Sequence, residues 1–210
     1  MLRLFDYPAS ANCYKVRLLL HQLELPYERV EVDIFAGDTL ADGFAAMNVA
    51  RRTPVLELAP GDFLPESNAI LLHLAEATGF LPADRRLRAH VYQWLFFEQN
   101  FFEPSVGGLR FRTLTGRDGV DGLRPAAETA MTMLDAHLAG REFLVGSEYT
   151  VADTSLYAYA HVAHEGGLEL ERRPAVRVWL DRVERTPRWL DDLRPYPQNA
   201  RAGQGASVHG

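Results

Sequence analysis

The sequence predicts an α/β domain followed by an all-helical one, and three observations carry that prediction. Two strand-like runs, residues 2–5 and 27–32, flank a stretch whose apolar residues fall at helical spacing. A hairpin pattern follows, with Val55-Leu56-Glu57-Leu58 and Phe63-Leu64 on either side of Pro60-Gly61-Asp62. Beyond residue 86 only helical periodicity appears.

The first strand, Leu2 to Phe5, is stopped by Asp6-Tyr7-Pro8. Ser10-Ala11-Asn12-Cys13 then leads a helix in which Val16, Leu19, Leu20 and Leu23 sit at i, i+3, i+4 and i+7. A second strand spans 27–32. Residues 36–47 read as a weaker helical region, loosened by Gly37 and Gly43. After the hairpin, Ala69-Ile70-Leu71-Leu72-His73-Leu74-Ala75 is an apolar helical face closed at Thr78-Gly79. The resulting order, βαβ-α-ββα, is that of a thioredoxin-like domain over residues 1–78. Residues 79–86 read as a linker, with Gly, Pro and a charge cluster.

The helical domain is expected over 87–195. Its first helix, 87–114, is rich in aromatic residues and carries Pro104 and Gly107-Gly108, which predict a local irregularity. A second helix is expected over 125–138, with Pro125 at its first position. Thr150-Val151-Ala152-Asp153 has capping-box spacing, with Asp in the place of the usual Glu. The helix it starts would bury Ala152, Leu156, Tyr159 and Ala163. Residues 175–184 and 187–193 complete the helices. The stretch 196–210 has almost nothing to bury and is expected to be a flexible tail.

Composition excludes several function classes. The net charge of -6 offers no basic stripe for phosphates, so nucleic acid is not an expected partner. No apolar run approaches the roughly 18–20 residues of a membrane span. A single cysteine, Cys13, forms no internal disulfide, and the N-terminus has no signal-peptide layout; a cytoplasmic protein is expected. His161, His164 and Glu165 lack the spacing of a zinc-protease helix, and no metal is expected.

The chemistry gathers in residues 52–77. Pro54 cannot donate to a strand ladder and must sit at a strand start or an edge. If the Thr53-Pro54 bond is cis, the backbone groups of Thr53 are turned outward to pair with an extended peptide. The helix beginning near Ser67 has free amides and a dipole that favour an anion. Glu66 just before it suits a cation. A zwitterionic amino-acid end satisfies both, while the plainer alternative is a helix cap.

Pro54-Val55-Leu56, followed by Glu66-Ser67 and an apolar helix, resembles the glutathione-binding half of the cytosolic glutathione S-transferases. The run Gly146 to Asp153 resembles the capping box of the buried helix in that family, a folding element. The resemblance covers roughly residues 1–194. It implies that Thr53 pairs with the cysteinyl part of glutathione and that Glu66 and Ser67 hold its γ-glutamyl end. It also implies that Arg52, or Arg51 beside it, meets the glycine carboxylate, with Thr39 a further candidate.

Ser10 matches the serine that serine-type members (theta-, delta- and zeta-like) use to hold the glutathione thiolate, and Asn12 matches an asparagine of the bacterial nu-type enzymes. The Ser10-to-Cys13 spacing is similar to the C-x-x-C of glutaredoxins, with serine at the nucleophile position. Ser10 as a simple N-cap stays open. Tyr7 ranks below Ser10, and Cys13 is expected to be buried and inert.

The resemblance implies a glutathione transferase acting on a hydrophobic electrophile, with a pocket wall near Phe102, Val106, Leu109 and Phe111. A disulfide reductase, peroxidase or isomerase using glutathione, or a non-catalytic interaction protein on the same fold, are the alternatives. A homodimer is expected, from the resemblance and from the excess of aromatic residues in 87–114.

Overall fold

A computed structural model describes residues 1–206. The chain divides into two compact units. One takes Met1–Leu74 together with the described residues from Leu190 onward, and the other takes Ala75–Trp189.

The first unit is built on a four-stranded sheet in the order β2-β1-β3-β4. Strands β1 (Leu2–Asp6) and β2 (Tyr27–Glu31) are parallel, joined by α1 (Ala11–Gln22). The hairpin strands β3 (Val55–Ala59) and β4 (Asp62–Pro65) are antiparallel, with Gly61 in the left-handed region at φ 81° where a side chain would be strained. Helix α2 (Asp42–Met47) follows a short 3-10 turn, and α3 (Ser67–Ala75) leaves the hairpin. This is the thioredoxin-like order read from the sequence. Leu4, Val16, Leu19, Leu20, Val55, Leu56 and Ile70 are wholly buried and form the core.

The second unit is all helix. Helix α4 (Arg85–Phe97) runs into a π-helical segment (Glu98–Gly107) and then α5 (Gly108–Thr115). Pro104, which lacks an N–H, lies inside the π segment. Gly107 is required by close packing: a Cβ there would fall 2.6 Å from the Tyr159 ring. Helix α6 (Val120–Leu138) is followed by α7 (Val151–Ala160), buried along its whole length, and α8 (Pro174–Glu184). The capping box is formed, and Asp153 does more than close it. Its carboxyl accepts from the amides of Leu144 and Thr150, the Thr150 hydroxyl and Trp179 Nε1.

Within residues 79–86, Leu81 is buried and Phe80 O accepts from Val151 N. Three expectations are corrected. Helix α6 begins five residues before Pro125, so that proline sits inside the helix rather than opening it. Residues 187–193 are not helical, and Arg188 takes a left-handed φ of 57°. Residues 196–206, expected to be a flexible tail, lie along the first unit; residues 207–210 of that expected tail fall outside the described residues.

That strap is attached along its length. Tyr14 Oη donates to Leu190 O, Arg194 N to Pro8 O, Asn199 Nδ2 to Asp33, and Ala206 N to Phe35 O. A Cβ on Gly205 would sit 2.6 Å from Phe35 O, so only glycine fits there. The strap docks by backbone and small residues, such as the fully buried Ala200, which a reading of apolar composition overlooks. Charge fixes its start. Arg17, whose side chain is wholly buried, bonds Asp6 at 2.5 Å and Asp192 of the strap at 2.9 Å. Arg29 reaches Asp6 at 2.6 Å and Asp192 at 3.7 Å.

Candidate functional site

The starts of α1 and α3 come together in the first unit. Ser10 is in extended backbone and caps α1, its Oγ accepting from Cys13 N at 3.2 Å. As an acceptor it spends a lone pair; its own O–H is still a donor and lies within reach of the Cys13 sulfur. Asn12 follows in the first turn, and its Oδ1 accepts from Ser67 Oγ at 3.2 Å. Ser67 is nearly buried and opens α3.

Glu66 stands just before it at φ 70°, a left-handed conformation that costs a non-glycine residue free energy. Its carbonyl accepts the first helical bond from Ile70 N, while its exposed carboxylate has no partner among the described residues. A fixed anion therefore stands beside a helix N-terminus whose amides favour an anionic guest.

The Thr53-Pro54 bond is cis. Thr53 and Ser10 both reach the Cys13 sulfur with their side chains, and Tyr7 N donates to it at 3.3 Å. Burial, reinforced by Asp6, pushes the Cys13 thiol up to about 12. Cys13 is thus a packed, protonated core residue with no thiolate to offer.

The two arginines before Thr53 separate clearly. Arg51 is turned onto the α2 approach, where its guanidinium donates to the carbonyls of Thr39, Leu40 and Ala41 and pairs with Asp42. Arg52 is exposed and carries no ion pair among the described residues. Asn48 Nδ2 holds the Arg52 carbonyl at 2.8 Å. Thr39 is buried, with a hydroxyl that lacks a partner.

The residues expected to wall a hydrophobic pocket all belong to the helical unit. Phe102 and Leu109 are wholly buried and Val106 is 1% exposed, so all three are core side chains of the helical unit. Phe102 packs against Phe97, and only Phe111, half-buried beneath Arg117, keeps exposed surface. Among the described residues no three His, Cys, Asp or Glu side chains gather as a metal site. No helix there is long and apolar enough to cross a membrane.

A cavity of about 460 Å³ lies within the first unit, beside the loop that carries Ser10. Its lining includes Tyr7 and Pro8 of that loop, Arg29, Glu31 and Asp33 from β2 onward, and Arg194 of the strap. Sequence reasoning missed the strap's part in it, since no local pattern ties residues 190–206 to the first strand.

Comparison with known proteins agrees with this architecture. Residues 4–81 match the family model described as "Glutathione S-transferase, N-terminal domain", and residues 117–182 match "Glutathione S-transferase, C-terminal domain". A glutathione S-transferase from Pseudomonas fluorescens is 41% identical, with a TM-score of 0.88 over 92% of this chain and 99% of that one. Another family member from Pseudomonas fluorescens, solved with two glutathione bound, is 27% identical over 89% of each chain, with a TM-score of 0.79. The disulfide-bond oxidoreductase YfcG of Escherichia coli (strain K12) is 28% identical over 89% of this chain and 92% of its own. The chain belongs to the glutathione S-transferase family.

Proposed function

We propose that this chain binds glutathione across the starts of α1 and α3 and holds its sulfur as a thiolate for attack on an electrophile. The observation that carries the reading is the Asn12–Ser67 hydrogen bond, which brings the first turn of α1 against a helix N-terminus preceded by the unpaired Glu66. Glu66 takes the γ-glutamyl ammonium, and Ser67 with the α3 amides takes the neighbouring carboxylate. Thr53 pairs with the cysteinyl backbone, and Arg52, the arginine not already engaged, meets the glycine carboxylate.

Ser10 then acts on the sulfur. A free thiol titrates near 8.5, so only a few per cent is ionised at pH 7. A hydrogen bond to a charged group contributes about 1.5–3 kcal/mol, and one pKa unit corresponds to about 1.36 kcal/mol. Donation from the Ser10 hydroxyl, assisted by Asn12, lowers the bound thiol by roughly one to two units. The thiolate forms a bond to an electrophilic carbon, and the leaving group departs with its electron pair.

The relatedness to a disulfide-bond oxidoreductase supports a second reading, in which the same thiolate attacks a disulfide. Because Cys13 is buried and protonated, the glutathione sulfur itself performs that exchange. We further propose a cytoplasmic homodimer, with Phe96 of α4, 66% exposed, in the interface. A mass near a single 23.6 kDa chain in micromolar sedimentation overturns the dimer.

Retention on glutathione-agarose with release by free glutathione tests binding, and its failure sinks the reading. Turnover of a chloronitrobenzene, a peroxide and a glutathione mixed disulfide sorts the chemistry. A chain that binds glutathione and turns over none of them is a non-catalytic member of the fold.

A further inference from the structure

We infer that the cavity beside Tyr7 is a second binding site, built for a zwitterionic small molecule that carries an ammonium and a carboxylate. Its volume of about 460 Å³ falls within the roughly 300–1,000 Å³ of small-molecule sites. The hydroxyl of Tyr7, a residue 3% exposed, has no hydrogen-bond partner. A buried hydroxyl left in that state is costly, and an occupant able to bond it removes the penalty.

The charges of the wall define the occupant. Asp33 is already engaged by the Phe35 amide and by Asn199, and Arg29 by Asp6 and Asp192. Glu31 and the side chain of Arg194 have no partner among the described residues. One unspent carboxylate and one unspent guanidinium thus border the same cavity. A guest with a single sign of charge is repelled by one of them, whereas a zwitterion satisfies both. The apolar faces of Pro8 and Pro195 accept its body.

Pro8 and Ala9 line this cavity and immediately precede Ser10. Resting on the glutathione reading above, the occupant is the second substrate, or the leaving half of a disulfide. Its chemistry is amino-acid-like rather than that of an uncharged hydrophobic electrophile. The strap supplies Arg194 and so sets this preference.

Titration calorimetry of the full chain with S-methylglutathione, whose sulfur cannot react, tests the site. Two binding events are expected. Tyr7→Phe, Glu31→Gln and Arg194→Ala should each weaken one of them about tenfold, the equivalent of about 1.4 kcal/mol, and leave the other; Ser67→Ala should do the reverse. Tyr7→Phe should be no less stable than the parent without ligand, because it removes an unbonded hydroxyl. A single event that the three cavity variants do not change overturns the site. A single event abolished by those variants and indifferent to Ser67→Ala upholds the cavity and sinks the glutathione site instead. Glutarate and cadaverine, which carry two charges of one sign, should bind the cavity at least about tenfold more weakly. If either binds as well as S-methylglutathione, the zwitterion assignment is wrong.

Discussion

Ser67 Oγ donates to Asn12 Oδ1 across 3.2 Å, joining the first residue of α3 to the first turn of α1. Two residues 55 positions apart are thereby held in one place, and the proposed glutathione contacts are arranged around that bond. The variants below separate binding, ionisation, and the stability of each unit.

Glu66→Ala or Ser67→Ala should weaken glutathione binding by about 1–3 kcal/mol, because each leaves a charged group of the ligand without its partner. Calorimetry reads this directly. Ser67→Ala also removes the donor to Asn12, so a double variant with Asn12→Ala should lose less than the sum of the two.

Ser10→Ala should leave glutathione binding nearly intact and raise the pKa of the bound thiol. Turnover should fall at neutral pH and recover in part at higher pH. Loss of the cap on α1 should also cost about 0.5–2 kcal/mol of stability, visible in the melting temperature. Equal activity of Ser10→Ala and the parent from about pH 6 to 9, either side of the ordinary thiol pKa, assigns the thiolate to Asn12. Ser10→Cys creates a C-A-N-C run at the helix start, and reductase activity on mixed disulfides should rise as conjugation falls.

Arg17→Ala should be among the most destabilising single changes in the first unit, at about 3–5 kcal/mol, because it leaves the partly exposed Arg29 alone to compensate two carboxylates, one of them wholly buried. Arg17→Met, paired with Asp6→Leu, should recover much of that loss, since a matched apolar pair leaves no charge uncompensated. Urea midpoints compare them.

In the helical unit, burial moves two groups in opposite directions. His161, stacked on Tyr157, is pushed down to about 4, and Asp153 is pushed up to about 6. Unfolding restores the ordinary values of 6.5 and 3.8. As pH falls from 6.5 to 4 the unfolded chain takes a proton at His161 before the folded one does, and stability drops. Over the window from 6 to 4 the folded chain takes a proton at Asp153 first, and stability climbs. The two effects, each about 3 kcal/mol, oppose each other. Relative to the parent, His161→Gln should gain stability on acidification and Asp153→Asn should lose it, as denaturation midpoints from pH 7 to 4 will show.

What was legible in the sequence was local. Ser10 to Cys13, the Thr53-Pro54 pair and Glu66-Ser67 sit within a few residues of a helix or strand start, where backbone chemistry dictates side-chain type. Thr150 and Asp153 are three apart, and their cap was readable for the same reason. Pro104 announced the break in the aromatic helix. Partners that lie far apart leave no local signal: nothing near Asp192 points to Arg17, 175 residues earlier. Periodicity distinguishes the faces of a helix without saying which face meets solvent, so the burial of Phe102, Val106 and Leu109 is not legible from spacing. Residues 196–206 looked unstructured because their docking uses carbonyls, amides and a glycine.

The strap has a consequence for how the protein is made. A ribosome releases residues 1–74 long before it synthesises Asp192, so the nascent first unit holds two guanidiniums, Arg17 and Arg29, against the single buried carboxylate of Asp6. Its electrostatics are completed only when the stretch that carries Asp192 emerges and folds back. The first half of this protein is therefore finished after the second, and a fragment cut at residue 74 is expected to be a poorer fold than its own sequence suggests.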